Sequence, residues 1–196
     1  IIVGSGIMAE NLTNDNAVRL LANTIATGAG LFVLITAFAN ISGAHLNPFV
    51  SLSMYLTKRI KGKELLTFIP AQILGCLLGV MLANVFFEHS IIELSTKNRD
   101  GFHIFLSEIV ATFGLIFIIF ATLKDGKITV AACVATYISA GYWFTSSTSF
   151  ANPAVAIART FTDSFTGINY LNTPTYIFAE LLGAIVAIYI IKRLIK

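Results

Sequence analysis

Two Asn-Pro dipeptides, Asn47-Pro48 and Asn152-Pro153, each place an amide side chain between small residues and a short apolar stretch. Asparagine is a good helix N-cap and proline a good first helical residue, so each dipeptide predicts the start of a helix. The amides can donate and accept hydrogen bonds, but they neither titrate nor form covalent bonds. The apolar stretches that follow them are Phe49–Leu56 and Ala154–Phe161, both too short to cross a membrane.

The same order of motifs occurs twice along the chain. Gln72 follows Asn47 by 25 residues, and Glu180 follows Asn152 by 28 residues, each in an Ala-Gln or Ala-Glu pair within the next apolar segment. Matching order and spacing, with an odd number of spans in each half, predict two repeats of opposite orientation. We assign repeat 1 to residues 1–88 and repeat 2 to residues 101–196, within a single domain over residues 1–196.

Two carboxylates, Glu108 and Glu180, lie in otherwise apolar segments. A lone carboxylate inside a membrane costs several kcal/mol unless it finds partners. A proton relay is one interpretation. The favoured one is that each carboxylate accepts hydrogen bonds from backbone N–H groups of the Asn-Pro loop in its own half, because non-helical backbone at membrane depth needs such partners. Gln72 is expected to support the loop of the first half.

Composition and motifs exclude several classes of protein. Of the 196 residues, 56% are hydrophobic and 12% are charged, against about 25% charged in a soluble domain. The net charge of +3 is spread along the chain, so no basic face for nucleic acid forms. The sequence contains no metal-ligand set, no nucleophile beside a base and no phosphate loop, which argues against an enzyme, a metal or another cofactor. Cys76 and Cys133 are interpreted as buried small side chains.

Five segments are apolar and long enough to span a bilayer, which needs about 20 residues. They are Ala17–Phe38, Leu65–Phe87, Phe102–Leu123, Ile128–Phe144 and Tyr176–Ile195. Nine of the 13 Lys and Arg residues lie at one side of these spans, which the positive-inside rule makes cytoplasmic. A further apolar stretch, Ile1–Ala9, is too short to span, and we interpret it as the end of a first span whose beginning is missing. The sequence thus predicts an all-α, multi-pass membrane protein.

The motifs Ser-Gly-Ala-His-Leu-Asn-Pro (42–48) and Phe-Ala-Asn-Pro-Ala (150–154), with the paired Ala-Gln and Ala-Glu helices, resemble the aquaporin and glycerol-channel (major intrinsic protein) family. The resemblance implies an inverted repeat of six spans and two re-entrant half-helices, a pore in each subunit, and a homotetramer in membrane lipid. It also implies that the two half-helices meet N-terminus to N-terminus at the midplane. Their dipoles and amides would then pass neutral solutes and repel cations. The implied pore motifs are Asn47, Pro48, Phe49, Asn152, Pro153 and Ala154.

The selectivity constriction departs from the family pattern. Water-selective relatives carry an arginine directly after the second Asn-Pro-Ala, where this chain has Val155, and Arg159 follows one helical turn later. Arg159 is interpreted either as a cation at the outer vestibule or as a solvated side chain. Offsets from the two asparagines place the other constriction residues at Thr27, Ala140 (or its neighbour Gly141) and Ser149.

Such a ring of small side chains is wide, mildly polar and free of fixed charge. The chain here resembles the arsenic-associated bacterial branch of the family, some members of which also lack that arginine. The candidate solutes are therefore water, glycerol and arsenous acid, and the expected location is the plasma or inner membrane of a prokaryote. Phe49 stands where the family has alanine, and it either tilts the half-helix, narrows the pore or fills a gap. His45 would face the cytoplasmic vestibule and hold the loop or gate the pore. A strict water channel and an ion-coupled transporter remain alternatives.

Overall fold

In a computed structural model of the chain, residues 1–194 are described, and they form eight α-helices without a β-strand. Two short 3-10 segments, Leu123–Asp125 and Arg159–Phe161, continue the fifth and seventh helices. The helices are α1 (Ile2–Leu12), α2 (Asn16–Phe38), α3 (Pro48–Leu56), α4 (Gly62–Phe86), α5 (Phe102–Thr122), α6 (Lys127–Phe144), α7 (Pro153–Ala158) and α8 (Thr173–Leu194). The chain therefore has the all-α architecture that the sequence predicts.

Four helices are long and apolar enough to cross a membrane: α2, α4, α5 with its 3-10 extension, and α8. The fifth predicted span, Ile128–Phe144, forms α6 but is not among them. Its 18 residues rise only about 27 Å, and they include a lysine and several Thr, Ser and Tyr residues. The predicted end of the last span, Ile195, lies outside the described residues. The stretch Ile1–Ala9 forms α1, which continues to Leu12.

The helix starts follow from local side-chain chemistry. The Asp15 carboxylate accepts hydrogen bonds from the Ala17 and Val18 N–H groups at 2.8 and 3.3 Å, which caps α2. At the start of α4, the Glu64 carboxylate accepts a hydrogen bond from the Lys61 N–H at 2.7 Å. Both contacts satisfy backbone donors that the first turn of a helix leaves unpaired.

Helix packing repeats between the two halves of the chain. In the first half α1 packs against α2 and α4, and α3 packs against α4; in the second half α5 packs against α6 and α8, and α7 packs against α8. Across the halves α2 packs on α6, while α3 packs on α8 and α7 packs on α4. Each short helix is thus held between the last long helices of both halves, which brings the starts of α3 and α7 together.

The apolar surface is arranged as expected for a protein surrounded by lipid. In α4 only Val80, Ala83 and Asn84 are buried, whereas Leu66, Leu78 and other large side chains are exposed. Such exposure is unusual for a water-facing surface and suits hydrocarbon chains.

The prediction that both cysteines are buried is wrong: each is free and half-buried, because α4 and α6 present one face outward.

Candidate functional site

The two Asn-Pro dipeptides begin α3 and α7 in the same way. The Asn47 side-chain oxygen accepts a hydrogen bond from the Phe49 N–H at 2.9 Å, and proline is the first residue of the helix. The Asn152 oxygen accepts from the N–H groups of Ala154 at 3.1 Å and Val155 at 3.4 Å. The predicted starts of both short helices are therefore correct, and each asparagine oxygen is oriented by its own helix.

The same two asparagines also join the half-helices to each other. Asn47 Nδ2 donates to the Ala151 carbonyl at 2.6 Å, and Asn152 Nδ2 donates to the Leu46 carbonyl at 2.9 Å. Each asparagine thus binds the carbonyl of the residue that precedes the other asparagine. Because an amide nitrogen carries two hydrogens, each Asn keeps one N–H for a solute oxygen.

The backbone before each asparagine has the same unusual conformation. The residues one, three and four positions before Asn47 and before Asn152 all have positive φ, between 47° and 78°. They are Leu46, Ala44 and Gly43 in the first loop, and Ala151, Ser149 and Thr148 in the second. A left-handed residue other than glycine costs on the order of 1–3 kcal/mol. Five of the six are not glycine, so the surrounding structure must hold both loops in place.

Two buried carboxylates hold the second loop. Glu108 on α5 accepts hydrogen bonds from the Phe150 N–H at 2.9 Å and the Ala151 N–H at 2.8 Å, one on each oxygen. Glu180 on α8 accepts from the Asn152 N–H at 2.9 Å. Three consecutive backbone donors are paired in this way, and neither carboxylate is exposed. In the second half of the chain, both carboxylates thus accept hydrogen bonds from loop backbone, as in the interpretation favoured above over a proton relay.

The first loop is held through a side-chain relay. Gln72 Nε2 donates to Ser51 Oγ at 2.9 Å, and Ser51 Oγ lies 3.0 Å from Nδ1 of His45. The His45 ring also meets the edge of Phe68, with ring centres 5.4 Å apart. Gln72 therefore contacts the loop through Ser51 and His45 and not through the backbone. His45 has the loop-holding contact that the sequence analysis preferred.

The phenylalanine that departs from the family pattern packs inside the bundle. Phe49 is 9% exposed and belongs to the main apolar cluster, together with Val50, Met54 and residues of α5 and α6. Of the three roles considered for Phe49, filling space between helices matches this position.

The residues assigned to the constriction meet in two pairs. The hydroxyls of Thr27 and Tyr142 share a hydrogen bond of 3.1 Å, and both side chains are buried. Ser149 packs against Gly141, where an added Cβ would lie 2.6 Å from the serine oxygen. Ala140 is exposed, so Gly141 is the α6 residue that contacts Ser149. Sequence reasoning did not assign Tyr142 to the constriction, and its neighbours Trp143 and Phe144 are exposed.

Arg159 lies inside the protein. Val155 is half-buried, α7 ends three residues later, and Arg159 begins the 3-10 turn. The arginine is 4% exposed, its Nε donates to the Thr166 carbonyl, and its guanidinium carbon lies 3.5 Å from the centre of the Phe150 ring. The interpretation of Arg159 as a solvated side chain is therefore wrong, because the turn directs it towards Phe150 instead of the solvent.

The outer connections close over this arginine. The segment between α4 and α5 runs beside the segment that follows α7, with Ser95 N–H donating to the Thr160 carbonyl at 2.9 Å. Arg99 from the first segment donates to the carbonyls of Gly167 at 2.8 Å and Phe165 at 2.9 Å. Burial lowers the pKa of Arg99 from its ordinary value, although an arginine stays charged at neutral pH.

Two half-helices that meet at their N-termini inside a bundle of membrane helices define a multi-pass membrane channel. The profile of the major intrinsic protein family matches residues 1–142, and this chain belongs to that family. It is 47% identical over 195 residues to aquaglyceroporin AqpS of Rhizobium meliloti (strain 1021), covering 100% of this chain and 84% of the relative. It is 32% identical over 194 residues to aquaporin TIP1-2 of Musa acuminata, covering 94% of this chain and 76% of the relative.

The fold is also similar to a solved structure. The aquaglyceroporin from Plasmodium falciparum superposes with a TM-score of 0.71 at 21% sequence identity, over 99% of this chain and 88% of that one. The aquaporin-like fold is thereby shown. With the family membership, the protein is an integral membrane channel that passes water and small uncharged solutes passively.

Proposed function

We propose that this channel admits solutes wider than water, of the size of glycerol and arsenous acid, and excludes ions. The observation that carries the proposal is Val155, a half-buried apolar side chain where water-selective relatives have an arginine. Thr27, Gly141 and Ser149, at the other positions assigned to the constriction, are small as well. Small, uncharged side chains at these four positions leave more room for a polyol than a large aromatic residue, a histidine and an arginine would.

The half-helix starts supply the ion barrier in this proposal. The N-terminal ends of α3 and α7 face each other, and each carries the positive end of a helix dipole. The remaining N–H groups of Asn47 and Asn152 donate to a hydroxyl or water oxygen, which replaces part of its hydration. A cation meets the same positive ends without compensation, so it is repelled where a neutral solute is bound.

The contacts of Glu108 and Glu180 bear on the alternative of an ion-coupled transporter. A coupled transporter needs ionisable groups available to an ion or proton near the midplane. Glu108 and Glu180 are the buried carboxylates in the described part of the chain, and both bind loop backbone. The name of the relative from Rhizobium meliloti, an aquaglyceroporin, also supports a channel that passes glycerol.

The remaining expectations from the sequence are part of the same proposal. We expect one domain of two repeats, residues 1–88 and 101–196, assembled as a homotetramer in a prokaryotic plasma or inner membrane. We expect no cofactor and no catalysis, because transport of this kind changes no bond.

The substitution Val155→Arg introduces the arginine of water-selective relatives. We expect it to lower the permeability to glycerol much more than the permeability to water. The added guanidinium narrows the constriction, so glycerol permeability should fall by about tenfold or more while water permeability falls by less than about threefold. Both permeabilities can be measured by light scattering of vesicles that contain the purified protein.

Val155→Met is the matched control, because it adds length without charge or bidentate donors. We expect it to reduce glycerol passage less than Val155→Arg does. If Val155→Arg leaves both permeabilities unchanged, Val155 does not line the constriction and the proposed basis for solute size is incorrect. Flux that follows an imposed ion gradient would point to a transporter.

A further inference from the structure

We propose that Glu180 is a neutral carboxylic acid at neutral pH and that it donates its proton to the ionised carboxylate of Glu108. The second loop is then held by one charged and one uncharged acceptor. Glu180 is a positioning residue in this proposal, because it acts through the backbone of Asn152. Its consequence for ions rests on the proposed function, whereas the protonation itself does not.

The two carboxyl groups bind neighbouring backbone groups. Glu108 Oε2 accepts from the Ala151 N–H at 2.8 Å, and Glu180 Oε1 accepts from the next N–H, that of Asn152, at 2.9 Å. Consecutive backbone nitrogens lie about 3–3.6 Å apart, so these two oxygens are at most about 9 Å apart. Neither carboxyl group is exposed. Two ionised carboxylates this close at membrane depth repel each other with little screening, which favours a proton on one of them.

The contacts of the four oxygens indicate which residue carries the proton. Both oxygens of Glu108 face backbone donors, the N–H groups of Phe150 and Ala151. Glu180 uses one oxygen, while its Oε2 is buried and finds no hydrogen-bond partner within residues 1–194. A proton on Glu180 Oε2 therefore displaces no backbone contact. It can be donated to Glu108, because an ionised carboxylate oxygen accepts more than one hydrogen bond.

The helices that pack on α8 bring no cation to Glu180. They are α5, α3 and α7. Besides Glu108, the ionisable residue of α5 is His103, exposed at its outer start, and that of α3 is Tyr55, also exposed. The sequence of α7 has no ionisable side chain. The second loop itself, from Thr145 to Asn152, also has none.

The charged groups nearest the second loop leave Glu180 unpaired as well. Three ionisable side chains lie against the ring of Phe150: Arg159, Arg99 and Tyr176. In the described part of the chain, the ion pairs are His89 with Glu93 and Lys97 with Glu10, so neither arginine pairs with a carboxylate. A buried carboxylate without a paired cation is costly, and a proton removes that cost.

The corresponding position of the first repeat carries a neutral side chain. Gln72 occupies the place of Glu180 in the repeated motif, and its Nε2 donates to Ser51 Oγ at 2.9 Å. A protonated Glu180 makes the two repeats alike in charge. A second negative charge beside Asn152 would offset the positive half-helix ends and attract cations, so the proton preserves the barrier to ions.

Infrared spectroscopy and pH-dependent unfolding test this proposal on the whole protein. We expect the unmodified protein in lipid vesicles to show the C=O band of a buried carboxylic acid at neutral pH, and Glu180→Gln to lack it. In detergent, the unfolding temperature of the unmodified protein should fall by roughly 3 °C per pH unit above neutral, relative to Glu180→Gln. The folded protein keeps a proton that the unfolded chain releases, so rising pH favours unfolding. Glu93→Gln is the matched control: Glu93 is partly exposed and pairs with His89, so both signals should remain.

Absence of the acid band from the unmodified protein at neutral pH overturns the proposal, whether or not the variants fold. So does an acid band that persists in Glu180→Gln, or an equal pH dependence of the two proteins. Failure of Glu180→Gln to fold also overturns it, because the amide has the size and the acceptor oxygen of the neutral acid. Failure of the unmodified protein to pass glycerol contradicts the proposed function instead and leaves the infrared result in place.

Discussion

Replacing Glu108 by alanine is expected to destabilise the fold strongly and to abolish glycerol conduction. The two Glu108 oxygens bind the N–H groups of Phe150 and Ala151 at 2.9 and 2.8 Å, and neither Glu108 nor Ala151 is exposed. A buried donor that loses its partner costs about 1–3 kcal/mol, so losing both partners costs about 2–6 kcal/mol. Ala151 has positive φ, and its carbonyl binds Asn47, so the loss also releases the contact between the half-helices.

Thermal unfolding in detergent and glycerol flux in vesicles measure this effect. We expect the unfolding temperature of Glu108→Ala to fall by roughly 10 °C or more, with loss of glycerol flux. Glu108→Gln keeps one acceptor oxygen and should have an intermediate effect. Glu93→Gln is the control, because Glu93 is partly exposed and pairs with His89. An unfolding temperature within about 2 °C of the original for Glu108→Ala would contradict the role of this carboxylate.

Gly183→Val is the second large effect that we expect. At Gly183 an added Cβ would lie 2.4 Å from the Ile109 carbonyl oxygen and 3.0 Å from the Phe113 nitrogen, both backbone atoms of α5. Rotation of a side chain cannot relieve contact with backbone, so α5 and α8 must separate. That displacement moves Glu108 and Glu180 apart, and both are needed at the second loop.

Two other glycines provide a control for this substitution. Gly75 and Gly79 lie in α4, and no atom stands within 4 Å of an added Cβ at either position. Gly75→Ala and Gly79→Ala should leave the yield of folded protein unchanged or raise it slightly, because alanine favours a helix by about 1 kcal/mol. The yield of Gly183→Val in gel filtration should fall severely. A normal yield would show that α5 and α8 are farther apart than the structure indicates.

The parts of this structure that the sequence predicted depend on local patterns. The half-helix predicted at Phe49–Leu56 is Pro48–Leu56 in the structure, because an Asn-Pro pair specifies a helix start by itself. The second half-helix was predicted with equal accuracy at its start. The long apolar segments predicted the bounds of the spanning helices within a few residues, because length and apolar composition are also local features of the sequence.

The parts that the sequence did not predict depend on contacts between distant residues. Leu46 and Ala151 adopt positive φ although neither is glycine, so their residue types do not predict this backbone conformation. The residue types also do not predict that the Leu46 carbonyl binds Asn152 and the Ala151 carbonyl binds Asn47. The burial of Arg159 depends on the Thr166 carbonyl and Phe150, which a later segment and the second loop bring to it. A charged side chain at a helix end is normally solvated. The local sequence therefore favours a solvent-exposed Arg159, which the structure contradicts.

Stopped-flow light scattering on vesicles is the most direct test of a passive, neutral-solute channel. Vesicles with the protein are mixed with sucrose or with glycerol at equal osmolarity and without an ion gradient, and empty vesicles serve as the reference. We expect faster shrinkage than in empty vesicles for both solutes, followed by rapid reswelling in glycerol alone. Sustained shrinkage in glycerol would contradict the proposed solute range, and shrinkage no faster than in empty vesicles would contradict a water-conducting channel.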